Sequence, residues 1–594
     1  MTPEDFYREQ EKIYQAGLKK ARDRRNAVTG LKLFSFAAVC LSIYWFAVGQ
    51  SLLFLLSAVF FLFLFILGTI LDYRIVKGIR EYEMLVDACR KELDYLGGKT
   101  GVFPKGEEYL KNDHPYAGDL DILGENSLFQ HLNRTVTAGG TDRLAEWLLS
   151  PAGTGEEILT RQEAVADLAA RADWCLKFRA KGCIYGITGQ QLQEMKAWYL
   201  EPSFFSGSVK KIPVYIFNGI TLILWGLVIF SVIPYTWALI ASFLQLGYMS
   251  FYLKKINLYY KRLGDFIRMS SGYLYLIQWI GKEEFHSGRI NELKKILLDR
   301  EHNSLDAFLR LKRLLNGFDQ RNNMLVGVIR NGLYMSDFHF LMKLDKWKRL
   351  HAGWLDEWIS VVNEMDALVS MATYRFNHPD FTVPRLKEDC WLCAREMGHP
   401  MLVRDKCVKN DFNVEDIHHF YVITGANMAG KSTFLRTVGV NLVLALSGNV
   451  VCAAEFRFSL MGLFTSMRTT DNLSRGTSYF HAELLRLKQL TELAGRSERL
   501  FIILDEMLKG TNSQDKLNGS FRFLERLRDY RVSGIIATHD LQLGELAQRY
   551  PACFYNYCFE ITHTADDIVY DYRLKEGVSR NMNASILLEK MGLI

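Results

Sequence analysis

The sequence has little excess charge of either sign and few residues that break secondary structure. Its 594 residues include 72 Lys and Arg against 66 Asp and Glu, which leaves a net charge of +6. Over this length the excess is too small to predict a nucleic-acid-binding surface by itself. With only 11 Pro residues the chain cannot form a Pro-rich rod, and its ordinary hydrophobic content of 49% excludes a disordered chain.

Cysteine spacing also gives little sign of a metal site. The ten cysteines include one CxxC pair, Cys390 and Cys393, with no second pair and no nearby His pair to complete a zinc site. We therefore expect these cysteines to be ordinary core residues in a reducing compartment.

Charge is missing altogether from two long stretches. Residues 33–71 and 212–253 contain no charged side chain over 39 and 42 residues. A membrane-spanning helix needs about 20 apolar residues, so each stretch is long enough for two spans. Gly49-Gln50-Ser51 and Pro234 divide the stretches near their middles. The sequence predicts two transmembrane hairpins, four helices in all, with buried core helices as the alternative.

Basic residues flank both hairpins. They are Lys19, Lys20, Arg22, Arg24, Arg25, Arg74, Lys77 and Arg80 around the first, and Lys210, Lys211, Lys254 and Lys255 around the second. Because positively charged flanks mark the cytoplasmic side, we expect a protein integral to the cytoplasmic (inner) membrane, with its soluble domains in the cytoplasm.

The domain organisation follows from these stretches. Residues 1–32 predict a cytoplasmic amphipathic helix, residues 33–71 the first hairpin and residues 72–118 a helical linker. Residues 119–395 predict an all-α core and lever domain that the second hairpin, 212–253, interrupts. From 396 to 594, short β-rich runs alternate with helices, which is typical of an α/β domain with a largely parallel sheet.

A P-loop pattern, G-x-x-x-x-G-K-[ST], lies between a β-rich run and an apolar helical pattern at residues 425–432. Its backbone is expected to face phosphate oxygens, since glycines allow close approach. Lys431 is expected to reach the β- and γ-phosphates, and Ser432 to bind Mg²⁺. The predicted nucleotide-binding residues are Gly425, Ala426, Asn427, Met428, Ala429, Gly430, Lys431 and Ser432, and the predicted cofactors are ATP and Mg²⁺.

Two further elements favour hydrolysis. Asp505 and Glu506 follow an apolar run at 501–504. An Asp at this place holds Mg²⁺ in P-loop enzymes, and Glu506 can polarise the attacking water as a general base. His539 ends the next β-rich run, which predicts a position near the γ-phosphate.

These motifs resemble those of the MutS family of DNA mismatch-repair ATPases. Residues 424–433, with their Asn-Met pair, resemble its P-loop and add Thr433 to the nucleotide-binding residues. Residues 505–513 resemble its Walker B segment. Gly398-His399-Pro400, the signature segment 471–480 and Ala537-Thr538-His539 with Glu545-Leu546 resemble further parts of its ATPase domain. Weaker resemblances lie upstream, at 128–151, the start of the family's helical core, and at 365–368.

The resemblance implies an ATP-dependent DNA-binding protein of the mismatch-repair or recombination type. It implies a homodimer on duplex or branched DNA, in which Ser478 of one subunit completes the ATP site of the other. The chain also departs from the family: Cys407-Val408 stand where relatives often have a Phe that stacks on adenine, and the second hairpin interrupts the core. Nothing occupies the place of the Phe-x-Glu mismatch-reading domain, and Leu508 replaces the usual Gly of the Walker B segment. We therefore expect a membrane-anchored member without direct mismatch reading.

Two other functions stay open. A MutS-like ATPase could act on a protein or membrane partner instead of DNA. An ABC-type transporter shares the order of motifs, but residues 475–478 do not read L-S-G-G-Q, and the spans lack the embedded charge that is usual in transport pathways. We expect no small-molecule substrate other than ATP.

Overall fold

The computed structural model describes residues 1–111, 113–150, 153–205, 211–319, 324–388, 391–426, 429–468, 479–509, 512–563 and 568–579. The described chain is mostly helical as far as Asn377 and mixed α/β beyond it, so the predicted succession of a helical and an α/β region is confirmed. Contacts divide the chain into two compact units. The first comprises residues 1–93, 135–141 and 173–367, and the second residues 94–134, 142–172 and 368–594.

The helices that precede the α/β region vary from 5 to 47 residues in length. They are α1 (Pro3–Gly49), α2 (Leu52–Leu96), α3 (Leu128–Leu132), α4 (Ala138–Leu149), α5 (Gly155–Ala169), α6 (Ala172–Tyr185), α7 (Gly189–Leu200), α8 (Lys211–Ile229), α9 (Tyr235–Ser250), α10 (Leu253–Lys282), α11 (Gly288–Leu297), α12 (Ser304–Asp319), α13 (Met324–Tyr334) and α14 (Ser336–Asn377).

The first two helices are longer than the sequence pattern suggests. A capping box starts α1, in which Thr2 and Asp5 each accept a hydrogen bond from the other's backbone N–H. The helix then continues through residue 32 to Gly49, so the expected N-terminal helix and first span form one element. Likewise α2 continues to Leu96. It ends where Gly98 takes a left-handed φ of 80°, and the expected helical linker beyond it contains a 3-10 turn, Glu107–Tyr109.

Three helices, α1, α2 and α8, are long and apolar enough to cross a membrane. Large apolar side chains on them face outward, including Leu33 (68% exposed) and Leu53 (72% exposed). The helix α9 has 16 residues, fewer than the roughly 20 that a span needs. It is shorter because the break around Ser231, whose φ is +58°, extends to Pro234. Among the residues that the structure describes, three helices are thus both long and apolar enough to span a membrane, where four were expected.

Buried polar contacts hold the first unit together. Arg179 of α6 forms an ion pair with Glu92 of α2 at 2.6 Å, and both side chains are almost fully buried. Asp366 of α14 accepts hydrogen bonds from the backbone N–H groups of Val136 and Thr137 and from the Thr137 hydroxyl. These contacts tie the segment 135–141 and helix α2 to the long helices of this unit.

The α/β region contains a four-stranded and a six-stranded sheet. Its strands are β1 (Arg385–Leu386), β2 (Leu392–Met397), β3 (Asn410–Val414), β4 (Phe420–Gly425), β5 (Glu455–Phe458), β6 (Gly462–Ser466), β7 (Leu500–Asp505), β8 (Val532–Thr538), β9 (Phe554–His563) and β10 (Ile568–Glu576). Its helices are α15 (Lys431–Ser447), α16 (Tyr479–Ala494), α17 (Ser513–Leu527) and α18 (Leu546–Arg549).

The six-stranded sheet has the order β10-β9-β4-β8-β7-β6 and is parallel except for β10. Thr424 of β4 pairs with Thr538 of β8, and Asp505 of β7 pairs with Ala537 of β8. The carboxyl ends of these three strands therefore meet at one edge. The smaller sheet has the order β1-β5-β2-β3.

Candidate nucleotide-binding site

The P-loop turn depends on two glycines with left-handed backbone. Gly425 has a φ of 149°, and a Cβ there would lie 2.6 Å from the backbone oxygen of Phe559. Gly430 has a φ of 105°, and its Cβ would lie 2.9 Å from the ring of Tyr572. Since any other residue would be strained and would clash, these positions let the loop turn tightly from β4 into α15.

Lys431 begins α15 and points back into the loop. Its ammonium donates hydrogen bonds to the carbonyl oxygens of Gly425 at 2.6 Å and Ala426 at 3.0 Å. Burial lowers the pKa of Lys431, and the charges of Glu506 and Asp505 oppose that shift. A desolvated ammonium held by neutral carbonyls keeps its charge available to an anionic ligand.

Ser432 and Asp505 meet across the sheet edge. The Ser432 hydroxyl donates to the Asp505 carboxylate at 2.7 Å, although the residues are 73 positions apart. Burial raises the pKa of Asp505. The hydrogen bond from Ser432 and the charge of Lys509 act in the opposite direction, but their effect is smaller. A hydroxyl and a carboxylate are oxygen donors of the kind that Mg²⁺ prefers.

Glu506 has a cationic and a histidine neighbour. Its carboxylate lies 3.2 Å from Nδ1 of His539 and 3.7 Å from Nζ of Lys509. Burial alone would raise the pKa of Glu506, but the Lys509 charge, the His539 hydrogen bond and Lys431 together bring it below its ordinary value. Glu506 is therefore ionised at neutral pH and able to accept a proton.

The histidine tautomer follows from its second contact. Nε2 of His539 lies 3.4 Å from Nζ of Lys516. Because an ammonium can only donate, Nε2 accepts, and Nδ1 of a neutral ring carries the proton that points to Glu506. This arrangement fixes the orientation of the Glu506 carboxylate.

Helix α16, which follows the signature segment, stabilises the Walker B turn by hydrogen bonds. Leu508 has a left-handed φ of 59°, which explains why a Gly is usual there. Its N–H and that of Lys509 donate to the carboxylate of the buried Glu483 on α16. These bonds offset the strain of the left-handed Leu508, and sequence patterns gave no indication of Glu483.

An open cavity of about 980 Å³ surrounds these groups. Ala426, Gly430, Lys431, Ser432, Thr433, Asp505 and Glu506 line it, whereas Ala429 is buried with 2% exposure. Asn427, Met428 and Ser478 lie outside the described residues, so the structure does not place them.

The cavity also contains Tyr572, which sequence reasoning missed. A register shift between Tyr570 and Leu574 in β10 gives Tyr572 a φ of 52° and places its ring against Gly430. Asn410 holds this bulge by hydrogen bonds to Tyr572 O at 3.0 Å and Leu574 N at 2.8 Å. Bulges often re-aim a side chain into a site, but no sequence spacing announces one.

Two regions of the chain match family models. Residues 421–589 match MutS domain V, and residues 113–182 match MutS domain III. The first match includes β4, the P-loop, Asp505, Glu506 and His539.

The chain is also similar to proteins named DNA mismatch repair protein MutS. The protein of Persephonella marina is 30% identical over 222 residues, which are 37% of this chain and 25% of that protein. The protein of Chlorobaculum tepidum is 31% identical over 225 residues, 37% of this chain and 25% of that one. The protein of Aquifex pyrophilus is 31% identical over 222 residues, with shares of 37% and 26%. The chain thus covers about a quarter of the length of these relatives.

The match to MutS domain V covers Lys431, Asp505 and Glu506, which lie together at the edge of the six-stranded sheet. Residues 113–182 and 421–589 of the chain are thus related to domains III and V of MutS proteins.

Proposed function

We propose that the chain is a membrane-anchored MutS-like ATPase that hydrolyses ATP at the carboxyl edge of the six-stranded sheet. The observation that supports this best is the contact of Ser432 with Asp505, beside Lys431 and Glu506. These side chains come from a P-loop helix and a neighbouring strand. Proteins of this family are ATPases, and Lys431, Ser432, Asp505 and Glu506 line one cavity.

The residues present fit both nucleotide and Mg²⁺. Lys431 binds the β- and γ-phosphates when it releases its hydrogen bonds to the carbonyl oxygens of Gly425 and Ala426. Ser432 and Asp505 would hold Mg²⁺, which supplies positive charge to the phosphates when bound. Tyr572 offers a flat face beside the P-loop on which a nucleobase can stack.

Glu506 is the general base in this proposal. Its carboxylate accepts a proton from the water that attacks the γ-phosphorus, and His539 keeps the carboxylate in position. The pKa of Glu506, lowered by Lys509 and His539 against the effect of burial, keeps it deprotonated at neutral pH. The reaction gives ADP and phosphate.

The second subunit of a homodimer completes the site. We assign Ser478 to the ATP of the neighbouring subunit, because it belongs to the signature segment and directly precedes α16. Glu483 of α16 hydrogen-bonds to the Walker B turn, so a displacement of α16 can reach Asp505 and Glu506. Mixing Ser478→Arg with Lys431→Ala subunits tests this role: one working composite site should return, and no recovery in verified mixed dimers contradicts it.

The apolar helices anchor the protein. We propose that residues 33–71 and 212–253 form two hairpins in the cytoplasmic membrane with the soluble parts on the cytoplasmic side, since basic residues flank both. An impermeant thiol reagent should label Gln50→Cys in intact cells and leave Lys99→Cys unlabelled. Labelling of the second variant alone would reverse the proposed orientation.

DNA is the proposed partner, of the mismatch-repair or recombination type, although direct mismatch reading is not part of the proposal. ATPase activity of the detergent-solubilised full chain, measured with duplex, mismatched and branched DNA, tests this. Binding should weaken as salt rises, because phosphate contacts release counterions. If DNA neither binds nor changes the rate of ATP hydrolysis, the partner of the ATPase is instead a protein or a membrane.

Hydrolysis is tested with Lys431→Ala. Loss of the ammonium removes a main counter-charge to the phosphates, so nucleotide binding or turnover should disappear. Lys488→Ala is the matched control, because Lys488 is an exposed lysine of α16 (71% exposed). Equal activity of both variants would contradict the proposed site.

A further inference from the structure

Two cysteines lie side by side at one wall of the nucleotide cavity. A Cβ on Gly398 would lie 2.6 Å from Sγ of Cys407 and 3.2 Å from Sγ of Cys452. Both sulfurs therefore occupy space beside the same glycine, and the Cys407 thiol donates to the carbonyl oxygen of His399 at 3.8 Å. The absence of a side chain at position 398 is what allows the sulfurs to approach.

One member of the pair is rigidly held. Cys452 is buried with 8% exposure, and its N–H donates to the side-chain oxygen of Asn441 at 2.8 Å. Its carbonyl accepts from Gly398 N at 2.8 Å, and Asn441 also donates to Gly398 O at 2.9 Å. This network fixes the position of the Cys452 sulfur relative to Gly398.

The other member borders the cavity. Cys407 is half-buried and lines the nucleotide cavity with Lys406, Val408 and Asn410. It lies in the turn between β2 and β3, after a 3-10 turn at Arg404–Lys406. A small molecule in the cavity can therefore reach the Cys407 sulfur, whereas Cys452 lies behind it.

The contact also divides the protons unequally. The neighbouring Cys452 side chain lowers the pKa of Cys407 against the effect of burial, with help from the contact with the His399 backbone and the charge of Lys409. The Cys407 side chain and burial raise the pKa of Cys452. The outer sulfur therefore loses its proton more readily than the inner one, and the thiolate is the reactive form.

We propose that Cys407 and Cys452 form a redox-sensitive modification site, at which a hydroperoxide oxidises Cys407 and Cys452 turns the product into an intramolecular disulfide. The Cys407 thiolate attacks one peroxide oxygen, an S–O bond forms and the O–O bond breaks. The second oxygen leaves as hydroxide or alkoxide and takes a proton, so the peroxide is reduced by two electrons and Cys407 becomes a sulfenic acid.

The second step needs no further oxidant. The sulfur of Cys452 attacks the Cys407 sulfur, an S–S bond forms and the S–O bond breaks. The departing hydroxide takes the Cys452 proton and leaves as water. A dithiol reductant reverses the modification by thiol–disulfide exchange.

The disulfide should change the cavity. Its S–S bond is about 2.05 Å long, so the sulfurs of these two free cysteines must move closer to each other. Because Cys452 is held by Asn441 and Gly398, the turn that carries Cys407 moves. Asn410, which holds the bulge at Tyr572, lies three residues beyond Cys407. The effect on ATP rests on the proposed function, while the disulfide itself does not.

Peroxide treatment of the reduced full chain in detergent tests the proposal. Mass spectrometry of unreduced peptides should find Cys407 joined to Cys452, and the affinity for a fluorescent ATP analogue should fall by about tenfold, which corresponds to about 1.4 kcal/mol. Dithiothreitol should restore it. A bond from Cys407 to another cysteine, or an unchanged affinity of the disulfide form, would overturn the proposal.

Variants separate the two steps. In Cys452→Ala, peroxide should leave a sulfenic acid on Cys407 that dimedone traps, with no disulfide. The matched control, Cys553→Ala, should respond like the unsubstituted chain, since Cys553 lies outside the cavity lining. If Cys452→Ala does not fold, Cys452→Ser decides instead, because its hydroxyl keeps the size of the side chain but cannot form a disulfide. Failure of dimedone to trap a sulfenic acid on Cys407 in that variant after peroxide treatment would contradict the proposal.

The two proposals can fail separately. If the reduced protein binds no ATP, the proposed ATPase function is wrong, and disulfide mapping still tests the cysteine pair. If ATP binds but the pair does not oxidise, the ATPase proposal is unaffected.

Discussion

The carboxyl edge of the six-stranded sheet and the helical pair α1–α2 both place charged side chains together, but in different ways. Along α1 and α2 the charges pair with charges of opposite sign, such as Arg22 with Glu83 at 2.8 Å and Lys32 with Asp72 at 2.7 Å. At the sheet edge, Lys431 hydrogen-bonds to neutral carbonyls, and Asp505 to a hydroxyl.

The difference distinguishes a structural from a ligand-binding arrangement. A matched ion pair meets the needs of both side chains, so it contributes to the fold and leaves little for a ligand. Lys431 is a buried ammonium held by carbonyl oxygens, and binding of an anion stabilises its charge. Burial raises the pKa of the Asp505 carboxylate, and binding of a cation stabilises its charge. Substitutions should therefore affect activity at the sheet edge and stability in the helices.

The largest effect is expected for Glu506→Gln. The amide keeps the shape of the side chain but cannot accept a proton from water, so kcat should fall by roughly 10²–10⁴, the span of a general-base contribution. ATP binding should persist, because Lys431 and Ser432 are unchanged. Single-turnover hydrolysis and nucleotide affinity, measured on the same preparation, check both statements.

Its control is Glu498→Gln, which changes the same chemical group outside the cavity lining. Normal turnover of Glu506→Gln would assign the water-activating role to another residue. A large loss of thermal stability would instead make Glu506 a structural group and would break the comparison.

The sheet edge was predictable because local sequence carries its information. An apolar run, then Asp505 and Glu506, indicates a buried strand with carboxylates at its end, and the strand pairing brings it to the P-loop. Tyr572 and Glu483 could not be found in this way. One depends on a bulge in β10 and the other on a helix that returns to the Walker B turn, and neither has a fixed spacing.

The helical region was less predictable for a physical reason. Absence of charge indicates where apolar helices lie but not where they end. The helix α1 therefore begins before the charge-free stretch 33–71, and α2 ends after it. The contact of Asp366 with Thr137 joins two segments whose sequences each resemble the family weakly. Their separation of 229 residues hides that contact from periodicity.

Glu92→Ala should have the largest effect on stability. It leaves the guanidinium of Arg179, itself 6% exposed, without its ionic partner. Breaking a buried pair in this way costs about 3–5 kcal/mol of unfolding free energy. Denaturant unfolding of the solubilised chain measures the loss, and Glu83→Ala on the same helix is the matched exposed control.

The double variant Glu92→Met, Arg179→Met sharpens this result. Because apolar residues of similar size avoid the desolvation of both charges, it should recover much of the stability. Equal stability of Glu92→Ala and Glu83→Ala would show that burial does not separate the two pairs.

Asp366 predicts a smaller and pH-dependent effect. Burial raises its pKa to about 7, although the hydrogen bonds from Thr137 and Val136 oppose the shift. The folded state therefore holds the proton more tightly than the unfolded chain, whose value is near 3.8. The stabilising contribution is fully present below about pH 4 and is lost as the pH rises through 7.

Asp366→Asn cannot titrate, so it should flatten the fall in melting temperature between pH 4 and 7. Melting curves of the variant and of the unsubstituted chain across this range check the slope, with the exposed Asp306→Asn as control. An unchanged slope in Asp366→Asn would mean that another group titrates.

The smallest effect is expected for Arg22→Ala on α1. Its partner Glu83 is 2.8 Å away, but the two side chains are 58% and 41% exposed. Water and salt screen such a pair, so its loss should cost less than about 1 kcal/mol. A double-mutant cycle with Glu83→Ala measures the coupling, which should shrink further in about 1 M salt, where the screening length is about 3 Å. A coupling as large as that of Glu92 with Arg179 would show that the exposed part of the α1–α2 pair is held by its charges, whereas a small one assigns that task to packing such as Tyr82 against Gly17.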